Sequence, residues 1–175
     1  MNTLEARRTA LILIDLMPRI VALETAPHSG PAVLERSVAL AAATRKAGGL
    51  VVNVRVERPG VDVQPEGSGF APTAEPQPGD LEIVKRAIGA FGRTSLDAEL
   101  QSRGIANVAL AGIATNFGVE STARAASDLG YETFFITDAM TGLDEHAHNF
   151  ALSYAFPRIG ETCTTEEFLK ALSQA

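Results

Sequence analysis

Short apolar runs alternate with helical patterns along the whole of this chain, and that alternation confines it to very few architectures. Residues 9–15 read Thr-Ala-Leu-Ile-Leu-Ile-Asp. A continuous apolar run of this length is expected of a central parallel strand buried on both faces. From Gly30, the residues Val33, Leu34, Val38, Ala41 and Ala42 recur at helical spacing, and Gly48-Gly49 supplies a stop. Further strands are expected over residues 50–56, 81–85, 107–111, 133–137 and, shorter, 160–163. Helices are expected from Thr94, from Phe117 to Leu129 with Gly130 closing it, from Thr141, and from Thr164. Three of these starts carry a spaced Thr and acid: Thr94 with Asp97, Thr141 with Asp144, Thr164 with Glu167. The alternation predicts an α/β, Rossmann-like fold of three layers: a central parallel sheet of about six strands with helices on both faces.

A chain of 175 residues fits a single domain, 1–175, with a substantial core. Its net charge is -6 and no basic block offsets it, which argues against a nucleic-acid or anionic-membrane surface. No apolar run reaches the roughly 18 residues needed to span a bilayer, and the polar start MNTLEARR lacks a signal-peptide apolar region. The single cysteine, Cys163, allows no intrachain disulfide. A cytoplasmic protein that handles a small molecule is the expectation. Residues 57–80 hold five prolines and four glycines without periodicity. Loops of this length are uncommon without a role, so this one is expected to shape the active site or a subunit contact rather than to be a tolerated surface excursion.

Three features fall at carboxyl ends of expected strands. Asp15 ends the first, Lys85 ends the third, and the turn Gly112-Ile-Ala-Thr-Asn-Phe-Gly118 follows the fourth. Parallel strands bring these ends to one edge of the sheet, where ligands bind. An acid and an amine there shift each other's proton affinity and can act as an acid/base pair. Each feature also has a plain reading: an aspartate that forms a turn, a solvated lysine, a glycine turn that only redirects the chain.

Four segments, in this order, resemble the isochorismatase-like cysteine hydrolases: Ala10-Leu-Ile-Leu-Ile-Asp15-Leu-Met17, then Ile83-Val-Lys85 through Ala90-Phe91-Gly-Arg-Thr94-Ser-Leu96, then Gly112 through Arg124, then Thr137-Asp138-Ala139. The closing Phe156-Pro157-Arg158-Ile159 resembles a subgroup with glycine at the nucleophile position. The resemblance implies a catalytic set of Asp15, Lys85 and position 118, where most of the family has cysteine and this chain has Gly118. It implies a cis peptide at Ile113–Ala114 and an oxyanion site made by the amides of Ala114 and Gly118. Phe91, Asn116 and Arg86 are the expected substrate contacts; Arg86, like Arg19, Arg55 and Arg93, falls near the expected sheet edge, and each of these arginines is a candidate partner for an anion or else a surface charge. The helix that follows Asn116 adds an N-terminus favourable to anions.

Glycine offers no nucleophile, so covalent amidase chemistry is not expected. The family also includes vinyl-ether hydrolases with glycine here, in which the aspartic acid protonates carbon and water then adds. The turn Ala-Thr-Asn-Phe-Gly departs from the Ala-His-x-Gly turn of isochorismatases. The expectation is a hydrolase acting on a small polar or anionic substrate by Asp/Lys acid–base chemistry. Its alternative is a catalytically silent binding protein on the same fold. No metal is expected: nicotinamidase-like relatives carry an Asp-x-His after the second strand, whereas this chain has Asn53-Val-Arg55-Val-Glu57 and scattered His28, His146 and His148. No Gly-x-Gly-x-x-Gly follows the first strand, so no dinucleotide cofactor is expected either. The resemblance further implies a homodimer or homotetramer.

Overall fold

A computed structural model describes residues 4–172; residues 1–3 of the polar N-terminal stretch and residues 173–175 lie outside the described residues. Six strands form one parallel sheet: β1 Thr9–Ile14, β2 Leu50–Val56, β3 Leu81–Lys85, β4 Asn107–Ile113, β5 Glu132–Thr141 and β6 Glu161–Cys163. Their order is β3-β2-β1-β4-β5-β6, every neighbouring pair parallel. The helices are α1 Pro18–Val21, α2 Gly30–Ala47, α3 Leu96–Ser102, α4 Glu120–Asp128, α5 Glu145–Phe150 and α6 Thr165–Leu172.

The central strand shows why the apolar runs are continuous. Every residue of β1 is buried. Leu11 and Leu13 join an apolar cluster with Val33 and Leu40 of α2 and Phe168 of α6. Ala10, Ile12 and Ile14 join the opposite cluster, with Leu96 and Leu100 of α3 and Ala123 and Ala126 of α4. Successive side chains of a strand face opposite sides, so both faces of this sheet are covered.

The chain departs from β1 to one side through β2 and β3, then returns to β1's other side with β4. The reversal opens a crevice between the carboxyl ends of β1 and β4, the place where open α/β sheets bind ligands. At Gly112 the two strands approach closely. A Cβ there would lie 2.2 Å from the Ile14 carbonyl oxygen, and φ is +117°, so only glycine fits.

Several boundaries differ from the sequence reading. β5 runs on to Thr141, because a register shift between Leu110 and Gly112 lets Met140 and Thr141 pair beyond the break. Asp138 is therefore inside a strand, and its carboxylate accepts from the amide and hydroxyl of Thr165 at the start of α6. A single turn of π-helix over Thr115–Val119 precedes α4. Thr164 and Glu167 form the expected reciprocal cap. The other two starts do not form one. Thr94 Oγ1 donates to the Ala90 carbonyl, and Asp97 instead accepts from Gln101 and Tyr131. Asp144 itself caps α5 by accepting from the Ala147 amide, while Thr141 stays in the strand and bonds the backbone of His28.

Candidate active site

Asp15 follows β1 directly, in a left-handed backbone conformation with φ of +52°. Its amide donates to the Val54 carbonyl, and its carbonyl accepts from Met17. Those bonds fix the carboxylate at the crevice. Lys85, the last residue of β3, reaches it: Nζ lies 2.8 Å from Asp15 Oδ2, with the side chains 3% and 7% exposed. Asp15 Oδ1 is buried without a hydrogen-bond partner. Burial pushes the carboxyl's pKa above its ordinary value, and outweighs the Lys85 ion pair and the Arg19 charge that pull it down. The pair thus combines an ammonium with an acid whose proton is held more tightly than in water.

The turn after β4 completes the floor. The Ile113–Ala114 peptide is cis. The Ala114 carbonyl accepts from the amides of Phe117 and Val119, which folds the turn back on itself. Thr115 Oγ1 and His148 Nδ1 hydrogen-bond at 2.8 Å, both buried, and anchor the turn from behind. A Cβ at Gly118 would lie 3.4 Å from Asp15 Oδ2 and 2.8 Å from Ile14 Cγ2. Position 118 therefore faces the Asp15 carboxylate, and Ile14 has closed in on it. The Gly118 carbonyl accepts from Thr122 Oγ1, which itself accepts from the Ala90 amide. This links the turn to the segment after Lys85.

Asp15, Lys85, Arg86, Ile113, Ala114 and Gly118 line one open cavity of about 490 Å³, within the size range of small-molecule sites. Its walls include Phe117, part of the turn expected from the sequence, and Ile20, Leu23, Ile88 and Leu143, which the sequence patterns did not assign to a site. Four of them are large apolar side chains left about half exposed at the mouth. Isolated exposed apolar residues beside turns are the only signal that could have found them. Arg86 reaches the cavity but forms an ion pair with Glu57, as does Arg55.

Two of the expected substrate contacts are not in this cavity's lining. Phe91 is not among the cavity residues; its ring stacks on Tyr131 at 5.9 Å and packs on the cluster beneath α3 and α4. Asn116 is also absent from the lining. Its Oδ1 is buried and unpartnered, 3.6 Å from where a Gly142 Cβ would sit. Arg55 and Arg93 do not line the cavity, whereas Arg19 does.

Of the long loop, only Glu57, Arg58 and Pro59 line the cavity. Farther along, Ala71 and Ala74 are buried in the α2 side of the core. Cys163 is buried on β6, and its thiol is pushed up to about 12 by burial and by Glu167, Glu161 and Asp138. Such a thiol is inert at neutral pH. Phe156 is fully buried, stacked on Phe135 at 3.8 Å, so the Phe-Pro-Arg-Ile segment anchors the core. Among the described residues no group of three or more His, Cys, Asp or Glu is placed to hold a metal ion.

The isochorismatase domain family model matches residues 9–167. The chain belongs to the isochorismatase family. An uncharacterised isochorismatase family protein of Bacillus subtilis, YwoC, is 42% identical, with 97% of this chain and 98% of that one covered. Another, YecD of Escherichia coli, is 38% identical over 98% of this chain and all of its own length. The structure of an isochorismatase family protein from Burkholderia thailandensis superposes with a TM-score of 0.90 at 36% identity, covering 99% of both chains. A ureidoacrylate amidohydrolase of Agrobacterium fabrum is 36% identical over 102 residues, which is 58% of this chain and 45% of its own. The family thus includes hydrolases, and this chain shares their fold.

Proposed function

We propose that this chain is an isochorismatase-family hydrolase that acts on a small polar or anionic substrate without a covalent cysteine intermediate. Asp15 is the acid/base, Lys85 tunes and positions it, and the Ala114 and Gly118 amides stabilise negative charge. The observation that carries the reading is the buried Asp15–Lys85 pair facing a glycine at 118, in which Asp15 Oδ1 has no hydrogen-bond partner. A structural ion pair alone is poorly served by such burial, because desolvation offsets the attraction.

Vinyl-ether hydrolysis needs only these groups. Protonated Asp15 gives its proton to the vinyl carbon, and the ether oxygen stabilises the cation that forms. Water adds to that cation and returns a proton to the carboxylate. The hemiketal then collapses and expels the alcohol. Lys85 opposes protonation of Asp15 but keeps the carboxylate stable after it has given its proton away. The test is a hydrolase screen of wild type beside Asp15→Asn, with isochorismate and a panel of small amides, products read by mass. Vinyl-ether turnover that falls about 10²–10⁴-fold in Asp15→Asn is the expected result. Amide turnover would assign a different nucleophile. No turnover of any compound would favour a pocket that binds without chemistry.

A further inference from the structure

Four cations line the cavity: Arg19, Arg58, Lys85 and Arg86. Lys85 is committed to Asp15, and Arg86 to Glu57. Arg58 is exposed, on the rim. Arg19 differs from all three. It is half-buried on α1, and no carboxylate among the described residues pairs with it. Its position is nevertheless fixed from the far side by the long loop. The Gly67 carbonyl accepts from the Arg19 amide at 3.3 Å, and the Oγ of buried Ser68 accepts from Arg19 Nε at 3.1 Å. At Gly67, φ is +71° and a Cβ would lie 3.0 Å from the Arg19 amide nitrogen, so the loop approaches α1 as closely as backbone allows.

A guanidinium bound through Nε keeps its two terminal nitrogens as a free planar fork, the geometry that takes a carboxylate with two parallel hydrogen bonds. The cavity that Arg19 lines also has apolar walls, with Ile20, Leu23, Ile88 and Phe117.

We infer that Arg19, held by Ser68, is the anion subsite of this cavity, and that the substrate is an apolar-bodied monocarboxylate. The inference rests on the reading of the cavity as the substrate site and names what it takes. The carboxylate docks on the Arg19 fork, the apolar body lies along the wall, and the reacting atoms face Asp15. Residues 57–80 then contribute to specificity through Ser68 as a positioning residue, in addition to the three residues they place in the cavity. Arg19 also lies close enough for its charge to act on Asp15. A bound carboxylate would offset that charge and favour the protonated acid.

Binding alone tests this, so a failure of hydrolysis cannot be confused with a failure of the subsite. Calorimetry would compare 3-phenylpropionate with its neutral isostere 3-phenylpropanamide on wild type, Arg19→Gln and Ser68→Ala. Wild type is expected to bind the acid about tenfold or more tightly than the amide. Arg19→Gln is expected to erase the difference, and Ser68→Ala to reduce it while leaving affinity for the amide unchanged. Equal affinity for the two compounds, or binding of neither, overturns the inference. So does a preference that survives Arg19→Gln and disappears in Arg58→Gln or Arg86→Gln, because the anion would then sit on another guanidinium. A retained preference without turnover of any substrate would overturn the proposed hydrolase activity and leave the subsite standing.

Discussion

In the proposed mechanism Asp15 and Gly118 act together. Position 118 faces the carboxylate, and burial keeps the carboxyl protonatable. The sign of its pH dependence discriminates mechanisms. If protonated Asp15 is the working form, kcat/KM is full below its raised pKa and is lost as pH rises through it. A base mechanism would rise over the same window. Lys85 pulls the carboxyl down, so Lys85→Gln is expected to move the falling limb to higher pH, which a pH–rate profile reads directly. Asp15, Lys85 and the 113–118 turn were legible in the sequence because strand-end position alone brings them to one edge. Phe91 and Asn116, taken as substrate contacts from the family resemblance rather than from strand position, are not in the cavity's lining. Their side chains answer to local packing, which neither strand order nor motif spacing encodes.

At the scale of elements, the caps make the strongest test. Thr164 and Glu167 exchange hydrogen bonds at the start of α6, so Thr164→Ala is expected to cost about 1 kcal/mol, a fall in Tm of roughly 2–4 °C for a chain of this size. Thr94→Ala should not act through a capping box, because none forms there. The loop has a second anchor at Asp80. Burial raises this carboxyl, but hydrogen bonds from Arg45, the Gln77 amide and Asn53 outweigh it and hold the pKa below the ordinary value. Asp80 therefore contributes stability that is present above its unfolded pKa and lost as pH falls through the lower, folded one. Asp80→Asn is expected to destabilise by about 1–3 kcal/mol at pH 7 in urea unfolding, with the deficit shrinking on acidification. The sequence showed a Pro/Gly-rich excursion with no periodicity. It could not show that Asp80 ties that excursion to α2, or Gly67 and Ser68 tie it to α1, because these hydrogen bonds join residues far apart in sequence.

At the scale of the whole molecule, hydrophobic patterning was enough for the sheet, its helices and the site's edge. It was not enough for the cavity's apolar walls, which come from four separate segments and are mostly side chains left about half exposed. The charge pattern is also visible only in three dimensions. The chain carries a net charge of -6, yet its cavity gathers Arg19, Arg58, Lys85 and Arg86 against Asp15 and Glu57. A local positive field in an acidic protein attracts anions and is screened by salt. Affinity for 3-phenylpropionate is thus expected to weaken between low and physiological ionic strength, while affinity for the amide stays constant, as calorimetry at two salt concentrations would read. The central claim is that the carboxyl edge of this sheet holds an acid that burial keeps protonatable despite an adjacent ammonium. Carbon-13 NMR titration of the aspartate carboxyls, with Asp15 assigned by its loss in Asp15→Asn, measures that directly. A midpoint above the ordinary 3.8 is expected. A midpoint at or below it would mean that the Lys85 ion pair holds Asp15 ionised, and would contradict the account.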